Sequence, residues 1–253
     1  MSAAPARSQD SALPRRAMVL AAGRGERMRP LTERLPKPLI EVGGKAMLDW
    51  ALDHLAAAGV ADVVVNLYHL GERIEAHVQG RGRPRVTFSR EAELMDTGGG
   101  VAAALDRLGP DAFYVLNGDV VWLNGLQPAL QRLARAWDED EMDALLLLQP
   151  VSDAYGYDGH GDFVMDPAGR LRRRREREVA PFVFAGVQLL HPRLFDGAPE
   201  GPFSLNLLYD RAIEAGRLAG LRHDGRWFHV GTPEALQGVE QALHHLSDFK
   251  NRI

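Results

Sequence analysis

Cysteine is absent from the 253-residue chain, which excludes disulfides, thiolate metal sites and cysteine nucleophiles as sources of stability or chemistry. No apolar run approaches the ~20 residues needed to cross a bilayer. Residues 1–16 are rich in Ala, Ser, Pro and Arg and lack the apolar core of a secretory signal. They read as a disordered leader, and a cytoplasmic location follows by default. A positive surplus is missing too. The formal net charge is -4, so no global field exists to hold a nucleic-acid backbone or a membrane surface. The one dense basic run, residues 172–175 with Arg177, is interrupted by Glu176 and reads as a solvated strand end or loop. Any anionic ligand must therefore be gripped locally.

Hydrophobic residues at 45% and charged residues at 25% suit a folded α/β chain, read as one domain over 17–253. Residues 17–22 form a continuous apolar run closed by Gly23, the pattern of a strand buried on both faces. Helical spacing follows over 48–58 and is ended by Gly59. Residues 62–66 make a second strand, 70–78 a short helix, 85–89 a third strand, 99–108 a helix and 112–116 a fourth strand. The alternation repeats at 127–137 and 142–148. A β-hairpin is expected at 162–173 around the turn sequence Asp166-Pro167-Ala168-Gly169. Then come a strand at 182–190, a helix capped by Ser204, and short strands at 218–222 and 227–230. A final helix opens at Thr232-Pro233. This order predicts a Rossmann-like, mixed but mainly parallel sheet with helices on both faces.

The loop after the first strand carries the strongest chemical signal. It reads Ala22-Gly23-Arg24-Gly25-Glu26-Arg27-Met28-Arg29-Pro30-Leu31-Thr32, followed by Pro36-Lys37-Pro38-Leu39. Open α/β sheets bind ligands at the carboxyl ends of their strands, and small residues there let backbone N–H groups approach phosphate oxygens. The dinucleotide fingerprint fails, because Met28 stands where a third glycine is needed, and Walker A fails for want of Gly-Lys-Ser/Thr. A second glycine-rich stretch, Glu91 to Gly100, includes Asp96-Thr97-Gly98-Gly99-Gly100 and suits a flat ring approaching the backbone, or a hinge. Asn117-Gly118-Asp119 closes the fourth strand and sets a carboxylate where Mg²⁺ could share it with phosphate oxygens.

The whole loop string resembles the signature of the sugar-phosphate nucleotidyltransferases, Gly-x-Gly-x-Arg-Met-x-Pro-Leu-Thr with a later Pro-Lys-Pro-Leu, and the resemblance extends over 17–246. It implies the nucleotide-diphospho-sugar transferase fold, an NTP and a sugar 1-phosphate as ligands, and Mg²⁺ as cofactor. Arg27 and Lys37 would be catalytic. Ala22, Gly23, Gly25, Glu91, Asp96, Thr97 and Gly98 would hold the nucleotide. Asn117, Gly161, Glu178 and Gly186 would face the sugar, and Asp119 with His229 the metal. Glu26 and the Asp-Thr-Gly-Gly-Gly form point to the branch acting on N-acetylmuramate 1-phosphate with UTP; mannose- or glucose-1-phosphate enzymes are the near alternatives. A non-catalytic nucleotide-sugar-binding regulatory subunit is the rival from another class. Trp227-Phe228-His229-Val230-Gly231-Thr232-Pro233 carries His where the family has Asp. Either His229 ligates the metal, or it contacts phosphate, or Asp224 takes over. Neither nucleic acid nor membrane is expected as a partner, and the chain would be a monomer or homodimer.

Overall fold

The computed structural model describes residues 13–250, with side chains to residue 246. The expected leader thus lies outside the described residues except for 13–16. Strand β1 (Arg16–Leu20) begins one residue ahead of the apolar run, because the Arg15 carbonyl already accepts from Ala61 and Asp62 N–H at 2.8 and 3.2 Å. A small ribbon, β2 (Glu41–Val42) and β3 (Lys45–Ala46), leads into α1 (Met47–Ala57). Then come β4 (Asp62–Leu67), α2 (Gly71–Val78), β5 (Arg85–Arg90), α3 (Asp96–Ala102), α4 (Leu105–Leu108) and β6 (Phe113–Asn117). The middle of the chain supplies β7 (Val121–Leu123), α5 (Ala129–Ala136), β8 (Ala144–Pro150) and β9 (Ala154–Tyr155). The hairpin β10 (Phe163–Met165) and β11 (Leu171–Arg173) precedes the nine-residue β12 (Phe182–Leu190). The chain continues through α6 (Leu205–Glu214), β13 (Leu218–Arg222), β14 (Arg226–Phe228) and α7 (Pro233–Lys250).

The main sheet has nine strands, in the path β11-β10-β12-β6-β1-β4-β5, with β8 and β13 branching from β12. Strands β6, β1, β4 and β5 are mutually parallel; β12 joins antiparallel to β6 and to β8, and β13 is parallel to β8. From β1 the chain adds β4 and β5 on one side and then returns to lay β6 on the other. This reversal opens a crevice at the carboxyl ends of β1 and β6. A separate three-stranded sheet, β7-β14-β9, stands beside it.

Side-chain alternation along the strands builds a core on each face. Ala17 and Val19 of β1 and Tyr114 and Leu116 of β6 pack with Leu48, Leu52 and Leu55 of α1 and Leu130 and Leu133 of α5. Met18, Phe113 and Val115 point the other way, onto Val101 of α3 and Leu205, Leu208 and Tyr209 of α6. A third cluster joins Met28, Met47, Val121, Phe228, Val230 and Val239, and so ties the first loop to the small sheet and α7.

One expectation changes here. The helix read over 99–108 starts earlier and is broken, as α3 and α4, and the triple glycine lies inside α3. Each glycine there is forced by packing. A Cβ at Gly98 would overlap the Phe203 ring, one at Gly99 would lie 2.5 Å from the Gly201 carbonyl oxygen, and one at Gly100 2.9 Å from Asn66 Nδ2. Gly98→Ala should therefore overpack the site and cost about 1–3 kcal/mol of stability, lowering Tm by roughly 2–12 °C at 2–4 °C per kcal/mol for a chain of this size. Unchanged melting would mean that the segment carrying Phe203 yields freely.

Burial pushes His54 and His223 below the ordinary histidine range, desolvation being the first cause in each. His54 stacks on Trp122 with ring centroids 3.9 Å apart and donates from Nε2 to the Trp122 carbonyl at 3.1 Å. Because the folded values are depressed, the unfolded chain takes up these protons first as pH falls below about 6.5. Stability present above that pH is lost below it. Tm should fall from about pH 7.5 to about pH 5.5, a window in which ordinary carboxylates remain ionised, and His54→Phe should blunt the fall. A flat wild-type profile would contradict the shift.

Candidate active site

A cavity of about 750 Å³ opens at the carboxyl ends of β1 and β6, within the size range of ligand sites. Its floor is Leu20, Ala21 and Ala22, where the buried strand ends. The chain then turns at Gly25, which takes the left-handed conformation at φ 62°. A Cβ there would meet Thr32 Cγ2 at 2.9 Å and Lys37 Cβ at 3.0 Å, so both backbone angle and space demand glycine. The buried Thr32 hydroxyl donates to the Gly25 carbonyl at 2.9 Å and Met28 N–H donates to it at 2.9 Å. These bonds fold the loop back and leave Arg27 on the cavity wall.

Across the cavity, Gly118 N–H donates to the Leu20 carbonyl at 2.8 Å, which locks the end of β6 against the end of β1 and places Asp119 at the rim. Lys37, at the start of a 3₁₀ turn between Pro36 and Pro38, donates from Nζ to Asp119 Oδ2 at 2.5 Å. The two side chains are 12% and 34% exposed, so the pair is sheltered and still reachable from the cavity.

His229 follows β14, packed edge-on to Tyr157 with ring centroids 5.8 Å apart. Its imidazole is pushed below the ordinary range by desolvation first, then by the positive charges of Lys37 and Arg27, with Asp119 opposing. Those couplings put His229 in the same electrostatic neighbourhood as the cavity cations, and Gly231 two residues on lines the wall. Asp224 does not share this place. It precedes β14 whereas His229 follows it, and at ~3.3 Å per residue the strand carries the two apart. Asp224 instead accepts from Arg132 at 2.7 Å, so the alternative in which Asp224 replaces the missing carboxylate is corrected.

The cavity therefore gathers Ala22, Gly23, Gly25, Arg27, Lys37, Asp96, Thr97, Asn117 and Asp119 of the expected site. Others stand elsewhere. Gly98 gives its N–H to the Phe203 carbonyl at 2.8 Å and packs on that ring. Glu91 lies behind the wall, accepting from Asn66 Nδ2 at 2.7 Å and from Met95 N–H at 3.1 Å. Gly186 sits against Asn117 and Val120 at φ 73°. Gly161 donates its N–H to the Tyr157 hydroxyl at 3.1 Å. Glu178 closes the arginine-rich hairpin: both its oxygens accept from Arg172, at 2.6 and 2.8 Å, and Arg175 N–H adds 2.9 Å. The Arg172 guanidinium and the Arg175 N–H draw its carboxyl down to about 2. None of Gly161, Glu178 and Gly186 lines the cavity.

Sequence reasoning missed Asn66, Leu94 and Pro202 as wall residues. Only Asn66 carried a signal, being an amide near the end of an otherwise apolar strand. Pro202 arrives from a distant loop docked on α3 and has no local mark.

The fit to a divalent cation is that of a site completed by substrate. Among the described residues no group of three or more His, Asp or Glu side chains could hold a metal ion. One rim carboxylate beside a cavity of this size nevertheless suits Mg²⁺, which keeps most of its shell for phosphate oxygens and water.

The profile of the family described as Nucleotidyl transferase matches residues 16–245. An N-acetylmuramate alpha-1-phosphate uridylyltransferase of Caulobacter vibrioides is 40% identical over 238 residues, 92% of this chain and 98% of that one. A protein of the same name from Neisseria meningitidis is 35% identical, over 86% of this chain and 93% of its own length. Among solved structures, a UDP-glucose pyrophosphorylase complexed with UDP-glucose superposes with a TM-score of 0.77 at 13% identity, covering 91% of this chain and 98% of that one.

Proposed function

The chain belongs to the nucleotidyl transferase family, and from that membership we propose that this sugar-1-phosphate nucleotidyltransferase joins UTP to N-acetylmuramate 1-phosphate, releasing pyrophosphate, in peptidoglycan recycling. The observation that carries the reading is the convergence of Gly25, Arg27, Lys37 and Asp119 on one cavity, in a chain 40% identical to a uridylyltransferase of that sugar phosphate. We read residues 17–253 as one catalytic domain working in the cytoplasm, with Mg²⁺ as the metal.

The chemistry follows from the groups present. A sugar phosphate oxygen attacks the α-phosphorus of the triphosphate; that P–O bond forms as the bond from the α-phosphorus to the bridging oxygen breaks, and pyrophosphate leaves with the electron pair. The attacking phosphate is already anionic near neutral pH, its second pKa being ~6 by analogy with phosphorylated side chains. No general base is required. What the reaction needs is two anions held in line and their charge screened. Lys37, which lines the cavity, would bridge the α-phosphate and the incoming phosphate. Arg27, on the loop, draws off charge accumulating on the leaving group. A divalent cation held by Asp119 and substrate oxygens would supply further Lewis-acid stabilisation. The Gly23–Gly25 backbone would receive the triphosphate, and His229, pushed below the ordinary histidine range by burial and by two nearby cations, is suited to hydrogen-bond phosphate or to share the metal.

The test is a matrix of UTP, GTP, CTP, ATP and dTTP against 1-phosphates of N-acetylmuramate, N-acetylglucosamine, mannose and glucose, read by pyrophosphate release with Mg²⁺ present. The highest kcat/KM is expected for UTP with N-acetylmuramate 1-phosphate. Preference for GTP with mannose 1-phosphate would replace this assignment.

A further inference from the structure

Two segments of the cavity wall are joined by a hydrogen-bonded bridge. Ala21 N–H, where β1 becomes the glycine loop, donates to Asn66 Oδ1 at 2.7 Å. Asn66 Nδ2 donates to Glu91 Oε1 at 2.7 Å, and Glu91 Oε2 accepts from Met95 N–H at 3.1 Å, at the entrance to α3. The amide can point only one way, since its oxygen must face an N–H and its nitrogen a carboxylate. Asn66 is 3% exposed, so the bridge is shielded from competing water. Helix α3 is pressed onto it: a Cβ at Gly100 would come 2.9 Å from Asn66 Nδ2 and 3.0 Å from Glu91 Oε1.

We propose that Asn66 and Glu91 are positioning residues that set the spacing between the glycine loop at Ala21 and the Leu94–Thr97 wall, and hence the fit of the nucleoside triphosphate between them. The proposal rests on the reading of this cavity as the nucleotide site. It assigns Glu91 a different task from direct contact with the base. Both of its oxygens already accept hydrogen bonds from the protein, and its partner Asn66, rather than Glu91, reaches the cavity wall. The bridge needs one acceptor facing Ala21 N–H, one donor–acceptor match in the middle and one acceptor facing Met95 N–H. The charge can sit on either residue.

That last point gives the test, with isosteric variants that keep volume and packing. Asn66→Asp sets two carboxylates face to face, and Glu91→Gln turns an N–H either toward Asn66 Nδ2 or toward Met95 N–H. Each single variant should raise the dissociation constant for UTP, titrated without sugar phosphate, about tenfold or more, with a parallel rise in KM and a smaller change in kcat. In the double variant the carboxylate now at position 66 would accept from Ala21 N–H and from the amide now at position 91, and the oxygen of that amide would accept from Met95 N–H. Affinity should return to within about threefold of wild type, a coupling that non-interacting sites cannot produce. If the double variant binds UTP as weakly as Glu91→Gln or worse, Glu91 acts on the base through its charge and the bridge is overturned. Single variants that bind like wild type overturn it equally. Wild-type protein that binds neither UTP nor GTP would remove the nucleotide reading itself, before any variant is compared.

Discussion

Replacing Lys37 by methionine should lower turnover by about 10²–10³-fold, the loss typical of removing one preorganised group that meets developing charge, and leave the fold intact. Methionine keeps an unbranched stem of similar length, so the 3₁₀ turn Lys37–Leu39, capped by Pro36 and containing Pro38, has no reason to change. The stability effect should stay within about 1 kcal/mol, since the partner left behind, Asp119, is one-third exposed and can be rehydrated. The rate effect is larger because bound triphosphate excludes water from the cavity and the charges then interact in a medium less polarisable than bulk solvent. Pyrophosphate release at saturating substrates, set beside a melting curve, separates the two effects. A variant that turns over at the wild-type rate would mean that Lys37 serves only to pair with Asp119.

Asp119→Asn should be nearly as severe, at about 10²-fold or more in kcat/KM, with a signature of its own. The amide oxygen can still accept from Lys37 Nζ, so stability should hold, whereas a neutral oxygen binds a hard divalent cation far less well than a carboxylate does. The Mg²⁺ concentration needed for half-maximal activity should therefore rise strongly and part of the lost rate should return at high Mg²⁺. Lys37→Met, which removes a competitor for the carboxylate, should not raise that midpoint. Titration of activity with Mg²⁺ in the two variants distinguishes a ligand from a neighbour. An Asp119→Asn enzyme with an unshifted midpoint would take Asp119 out of the metal's shell.

The pair also shows why these residues are best tested together. In the substrate-free molecule Lys37 sits on one oxygen of the carboxylate. A cation entering with the triphosphate would share that carboxylate, freeing the ammonium to face phosphate. Each group keeps the other from standing uncompensated in a partly buried position until substrate brings its own charge.

Much of this was legible in the linear chain. The buried apolar run of β1 declares itself as a strand, and residues 182–190 and 218–222 are found as strands with the expected bounds. The capping role of Ser204, whose side chain accepts from Asn206 N–H, could be read from the hydroxyl before a helical pattern. The glycine loop with Arg27 and Lys37 was legible because a long ordered string of small and cationic residues has few other uses. All of these depend on interactions within a few residues, which is why sequence displays them.

What the sequence could not display depends on strand order. Lys37 and Asp119 meet across 82 positions because β6 returns to the open side of β1, a choice made by packing of two whole faces rather than by any local motif. The same packing turned the three glycines of α3 toward protein instead of ligand. It sent Asp224 and His229 to opposite ends of β14, and tied Glu178 into a surface hairpin. Local hydrogen bonding and apolar periodicity determined which segments are strands, helices and tight turns; only the closing of the sheet, driven by burial of both its faces, decided which of their side chains share a cavity.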